Sequence, residues 1–138
     1  SFSLDIRKQT KERYIEDSTL KNVVAFLNSE GGDLVVGVAD DGEITGVEPE
    51  LLKFYKSTAD KLLLHVKNQI KNRIGEQYYP LLQQRIVTVG RATILRIHCD
   101  ASTDPVFLDG ESFFVRTNPA TDKLVGRKQH EYIKRRFG

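Results

Sequence analysis

Leu20, Val23, Val24 and Leu27 recur at helical spacing and share one face, which Ala25 and Phe26 widen. Ser18 and Thr19 are good N-cap types just ahead of this stripe, and Gly31-Gly32 can take the positive φ that ends a helix. The pattern then changes. Leu34 to Val38 is a nearly unbroken apolar run, too short for a helix, and predicts a central strand buried on both faces. Asp40-Asp41-Gly42 is a turn signal, and Glu43 to Val47 predicts the return strand of a hairpin. Upstream, Phe2 to Ile6 alternates and predicts a short first strand.

Downstream, Pro49 marks a helix start with Leu51, Leu52 and Tyr55 as its apolar side. Ser57 or Thr58 caps a longer helix, from about Ala59 to Ile74, with Ala59, Leu62, Leu63, Val66, Ile70 and Ile74 in phase and Gly75 as its stop. Two hairpins follow. Arg85–Val89 and Thr93–Cys99 flank Gly90-Arg91, and Val106–Leu108 and Ser112–Thr117 flank Asp109-Gly110-Glu111. Thr117 to Lys123 reads as a polar loop, and a last helix runs from Gly126 or Arg127 to Arg136. The sum is an α+β fold: one compact domain over residues 1–138, with a mixed or mostly antiparallel sheet with hairpins packed against three to four helices.

Composition adds three constraints. At 138 residues the chain can bury a sizeable core unaided. A single cysteine excludes an internal disulfide framework and suits a reducing compartment. No membrane-length apolar run or secretory pattern is present, so a cytoplasmic location with no membrane partner is expected. The net charge of +2 is unevenly spread: residues 1–50 hold 5 Lys/Arg against 11 Asp/Glu, and residues 51–138 hold 16 against 8. That asymmetry permits a nucleic-acid surface beside an acidic site, and it equally permits charges that mix in space.

Some chemistry is excluded. Gly31-Gly32 follows a helix, whereas a phosphate loop precedes one, and no GxxxxGK(S/T) sequence occurs. His65, His98, His130 and Cys99 lack metal-ligand spacing, and no serine or cysteine lies in a nucleophile motif. The acidic candidates are Asp5, Asp40 and Asp41, with hairpin-turn chemistry as the plainer role of the last two. Among the cations, Arg116 leaves an apolar strand to enter the polar loop. It suits bidentate phosphate binding, or an internal pair with Asp40 or Asp41. Lys67, Lys71 and Arg73 lie on or near the polar side of the long helix, and Arg127, Lys128 and Arg135 on the last one; a solvated face is the plainer role of the first three. Phe113 and Phe114 alternate, so either both pack inward or one offers a stacking platform.

The run Ala25 to Val47 resembles the signature AFxNxxGGxLxxGVxDDGxxxG of the Schlafen/AlbA_2 domain family. Leu4-Asp5-Ile6-Arg7, Phe113-Phe114-Val115-Arg116 and the segment Asn68 to Pro80 match flanking pieces, so the resemblance covers nearly the whole chain. Asp5 and Arg7 stand where the family usually has Glu and Lys, and Ala39 replaces the first Asp after the GV strand. The resemblance implies a DNA- or RNA-binding module that contacts mainly phosphates. Arg7, Lys67, Lys71, Arg116, Thr121, Lys123, Arg127, Lys128 and Arg135 are its expected contacts, and Val115, Arg116 and Thr121 match the family's VRxxxxT element. No cofactor is needed for that role. Some relatives are metal-dependent ribonucleases with three carboxylates. By motif, Asp5 and Asp40 match two of these, with Asp41 beside them to help hold Mg²⁺ or Mn²⁺, while the third would precede Ser1. Endoribonuclease activity is therefore the enzymatic alternative, and a protein-interaction or regulatory domain the other. Pairing of relatives makes a homodimer an expected partner state.

Overall fold

The computed structural model describes the backbone of residues 2–38, 59–89 and 92–138. Its first element is a single long helix, α1 (Phe2–Leu27). This corrects two sequence expectations: Phe2 to Ile6 is helical rather than a strand, and Ser18 and Thr19 lie inside the helix rather than capping it. From Phe2 to Leu27 there is no Gly or Pro, and the many Lys, Arg, Glu, Gln and Leu residues favour continuation. A five-residue alternation is also too short to outweigh the i, i+4 spacing of Phe2 and Ile6.

The C-terminal part of α1 is the centre of the core. Leu20, Val23, Val24, Ala25 and Leu27 are buried, as their spacing predicts. The helix stops at Gly31, whose φ is 77° and whose N–H donates to the Phe26 carbonyl at 3.0 Å. A Cβ at Gly31 would sit 2.6 Å from the Cys99 carbonyl oxygen, so both the backbone angle and the space demand glycine. Gly31→Ala is expected to cost about 2–3 kcal/mol of stability in urea unfolding, because left-handed strain and a backbone clash add; a loss within experimental error would contradict this.

Strand β1 (Gly32–Val38) follows, then α2 (Ala59–Arg73), a 3-10 segment (Glu76–Leu81), β2 (Leu82–Val89) and β3 (Ala92–Cys99). The three strands form an antiparallel sheet of order β1-β3-β2. The Gly90-Arg91 turn itself lies outside the described residues, but the Val89↔Ala92 pairing shows the expected hairpin. β1 is not buried on both faces. Val36, paired with Leu95, is buried, whereas Val35, paired with Arg96, is 56% exposed. Helix α1 covers one face, so the strand alternates despite its apolar composition. The expected turn at Asp40-Asp41-Gly42, the strand from Glu43 to Val47 and the helix starting at Pro49 lie outside the described residues.

The rest forms a second layer. Leu108 and Ser112 exchange two backbone hydrogen bonds of 2.8 and 3.1 Å across Asp109 and Gly110, both at positive φ. Pairing across that turn stops at this one bridge. Strand β4 (Phe113–Arg116) pairs instead with β5 (Thr121–Leu124), which the sequence presents as loop. The turn is shorter than expected: Thr117 N–H reaches Ala120 O at 2.9 Å, and the Thr-Asp-Lys-Leu strand lacks the apolar alternation that signals a strand. Helix α3 (Gly126–Phe137) closes the order. All described strand pairs are antiparallel, which completes an α+β architecture. No helix of the described residues is long and apolar enough to cross a membrane.

Asn28 joins the layers. It is wholly buried, its Nδ2 donates to the carbonyls of Val106 and Phe114 at 2.9 Å each, and its Oδ1 accepts from Val106 N–H at 2.8 Å.

Candidate nucleic-acid interface

Where α1 meets the 108–112 turn and the β4–β5 ribbon, a cleft of about 650 Å³ opens. Helix α1 supplies Tyr14, Asp17, Ser18, Lys21 and Asn22, which share one face at i, i+3, i+4, i+7 and i+8. Thr121 and Lys123 face them from β5, with Phe114 at the floor. Lys21 and Lys123 are exposed, and neither forms an ion pair with a described carboxylate. The Lys21 ammonium lies 5.8 Å from the Phe114 ring centroid.

The carboxylates in the cleft are already engaged. Arg73 donates to both Asp109 oxygens, Nε to Oδ1 at 3.0 Å and Nη2 to Oδ2 at 2.8 Å, and its Nη1 reaches Asp17 Oδ1 at 2.5 Å. The guanidinium hydrogen bonds hold the Asp109 carboxyl below its usual range and raise the arginine in turn. One cation thus ties α1, α2 and the turn together and leaves Lys21 and Lys123 as the charges of the cleft with no ionic partner among the described residues.

Arg116 stands beside it. Its Nη1 donates to Thr121 Oγ1 at 3.0 Å; that hydroxyl donates onward to Asn22 Oδ1 at 2.6 Å, and Asn22 Nδ2 donates to Ser18 O at 2.9 Å. The guanidinium also covers the Phe26 ring, 5.0 Å from its centroid. Among the described residues, then, Arg116 rests on a hydroxyl and a ring and meets no carboxylate.

Arg116, Thr121 and Lys123 are therefore brought together on one hairpin. The other expected contacts lie elsewhere. Lys67 sits 5.0 Å over the Tyr79 ring and Lys71 is 4.0 Å from Glu76, both on α2 beside the 3-10 segment. On α3, Arg127 pairs with Glu131 at 2.8 Å, Lys128 is exposed, and Arg135 lies over Tyr132. The inner side of α3 is structural: Tyr132 OH donates to Asn28 O at 2.6 Å, and Arg136 Nη2 to Ser29 O and Ser102 O at 3.0 Å each. The Asn28 and Ser29 carbonyls lie just past the α1 C-terminus, where a positive charge such as that of Arg136 is favoured. Asp5 and Arg7 lie in the first turns of α1 with their side chains outside the described residues, as are Asp40 and Asp41 altogether. No group of three His, Cys, Asp or Glu among the described residues could hold a metal ion.

Phe113 and Phe114 are both buried; the exposed aromatic of the cleft is Tyr14, 72% accessible. Tyr14, Lys21 and Asn22 escape a reading that starts the helix at Leu20; their common face becomes visible once the helix extends upstream. Among the described residues, the two charge halves of the chain are not kept apart in space. Front-half carboxylates meet back-half cations at Asp17–Arg73 and Asp33–Arg96 (3.3 Å), and Glu16 meets the His65 ring at 3.1 Å.

A second ionic cluster lies on the outer sheet face. Both ring nitrogens of His98 face carboxylates, Nδ1 to Asp33 Oδ1 at 2.8 Å and Nε2 to Asp100 Oδ1 at 3.1 Å. Two such contacts need two N–H donors, so the Asp33 hydrogen bond, followed by that of Asp100, raises His98 above its ordinary value of 6.5. The stability this contributes is fully present below that ordinary value and is lost as pH rises through the higher folded one. Asp33, lowered by its Arg96 and His98 hydrogen bonds, acts in the opposite sense, losing its contribution as pH falls through its depressed value. In an NMR titration the His98 midpoint should lie above 6.5 and move down in Asp33→Asn; an unmoved midpoint would contradict the pairing. Cys99, beside it, is buried, and burial pushes its thiol up to about 12, which favours the protonated form over the thiolate.

A family model described as Schlafen, AlbA_2 matches residues 2–125. Among solved structures, the DIP2311 protein from Corynebacterium diphtheriae is similar, with a TM-score of 0.58 and 19% identity over 89% of this chain and 22% of that chain. At that identity the likeness is one of fold, and this chain spans about a fifth of the other. No curated protein matches the chain.

Proposed function

The chain belongs to the Schlafen, AlbA_2 family, and on that premise we propose that it is a nucleic-acid-binding module whose cleft between α1 and β4–β5 takes the phosphate backbone. The observation that carries this reading is the pair Lys21 and Lys123. They face a cleft whose described carboxylates, Asp17 and Asp109, are already held by Arg73 and whose walls otherwise offer the hydroxyls of Ser18 and Ser112. Lysines supply point charges to phosphates, hydroxyls add neutral hydrogen bonds, and neither reads base sequence. Arg116, oriented by Thr121 and Phe26, extends the positive edge. Tyr14 at the rim offers a ring for an unpaired base.

The test is a gel-shift series with labelled transfer RNA, single-stranded DNA and duplex DNA, each in Mn²⁺ or EDTA. The expected result is a shift at low salt, indifferent to sequence, with intact nucleic acid. Absence of any shift at low salt would sink the reading. Manganese-dependent fragments would turn it toward the endoribonuclease alternative and to Asp5 and Asp40.

A further inference from the structure

The outer face of the three-stranded sheet carries a charge arrangement that is unfavourable by itself. Arg85 of β2 and Arg96 of β3 are direct partners in the antiparallel register, and both are exposed. Directly opposed residues have Cβ atoms about 5 Å apart, and like charges so placed oppose strand pairing. Arg96 is offset by Asp33, its Nε 3.3 Å from Oδ1 and its Nη2 3.3 Å from Oδ2. Arg85 has no hydrogen bond or ion pair with any described residue. A hollow of about 340 Å³ lies at this pair, walled by Gln83, Gln84, Arg85, Arg96 and His98, with no carboxylate among its described lining residues. Asp33 and Asp100 meet the two nitrogens of His98 and favour its charged form.

We propose that this hollow is an oxyanion site that takes a phosphate group between the Arg85 and Arg96 guanidinium groups. A tetrahedral oxyanion presents separate oxygens to the Arg85 fork and to the Arg96 N–H groups that Asp33 leaves open on the adjacent strand, which a planar carboxylate does less well. Its negative charge offsets Arg85, the member of the pair with no ionic partner among the described residues. The Gln83 amide, opposite His98 in the register, adds a neutral donor at the end of the hollow. The site is separate from the cleft and stands whether or not the cleft binds nucleic acid. Its phosphate could be that of a small phosphorylated molecule or a diester of a nucleic-acid strand.

The experiment is an NMR titration of the whole chain with inorganic phosphate, and separately with the diester dinucleotide of thymidine, at ionic strength matched with chloride. Inorganic phosphate is expected to shift the Arg85 and Arg96 side-chain resonances saturably in the millimolar range. Arg85→Gln, which removes no hydrogen bond or ion pair with a described residue, is expected to weaken that binding about tenfold, the loss of one charge-assisted pair. Saturation by phosphate alone assigns the site to small phosphate esters, and saturation by both to a nucleic-acid strand. No saturable shift beyond the chloride control, or equal affinity in Arg85→Gln, overturns the proposal.

Discussion

Asn28→Ala is expected to lower the unfolding free energy by about 3–5 kcal/mol, among the largest losses any single substitution here should produce. The side chain is fully buried and serves three backbone groups: it donates to Val106 O and Phe114 O and accepts from Val106 N–H. Alanine orphans all three in the core, at about 1–3 kcal/mol each, reduced where water can enter. The neighbouring packing magnifies the effect, because Asn28 is where α1, the 106 segment and β4 meet. Asn28→Asp keeps the acceptor but turns a carboxylate toward two carbonyls, so it should not rescue. Urea unfolding followed by circular dichroism measures both; a loss below about 1 kcal/mol for Asn28→Ala would mean that these bonds do not hold the layers together.

The second large effect concerns binding. Lys21→Ala with Lys123→Ala is expected to weaken nucleic-acid affinity about 50-fold at 0.1 M salt, since two phosphate contacts each release about 0.9 of a counterion. Both lysines are exposed and unpaired with described carboxylates, so stability should change by less than about 1 kcal/mol. The loss should be similar for different base sequences, as phosphate contacts carry no sequence information. Unchanged affinity in the folded double variant would remove the cleft from the interface.

Much of the fold is legible in the sequence where one element answers to one local pattern. The Leu20–Leu27 stripe, the Gly31 stop, the 59–73 helix, the hairpin of β2 and β3 and the last helix all have local signals of period or turn chemistry. The misses have non-local causes. At Phe2 to Ile6 a five-residue alternation competes with helix-favouring composition, and the helix wins only because it continues unbroken to Leu27. Val35 belongs to an unbroken apolar run, yet it faces outward, on the side of the sheet away from α1. β5 forms because β4 needs a partner, not because Thr-Asp-Lys-Leu has strand character.

The site divides the same way. Arg116 and Thr121 are five apart and meet as their shared motif suggests. Lys21 and Lys123, by contrast, are joined only by the fold, across about a hundred intervening residues. Asn28 lies inside the signature run, but its partners are 78 and 86 residues away, so no local feature announces its role.

The most direct measurement is the salt dependence of transfer RNA binding, for the wild type and for the Lys21→Ala, Lys123→Ala double variant. The account predicts a steep linear fall of log affinity with log salt in the wild type, and a slope shallower by about two units in the variant. A flat wild-type slope, or the same slope in both proteins, would contradict a phosphate-binding cleft between α1 and β5.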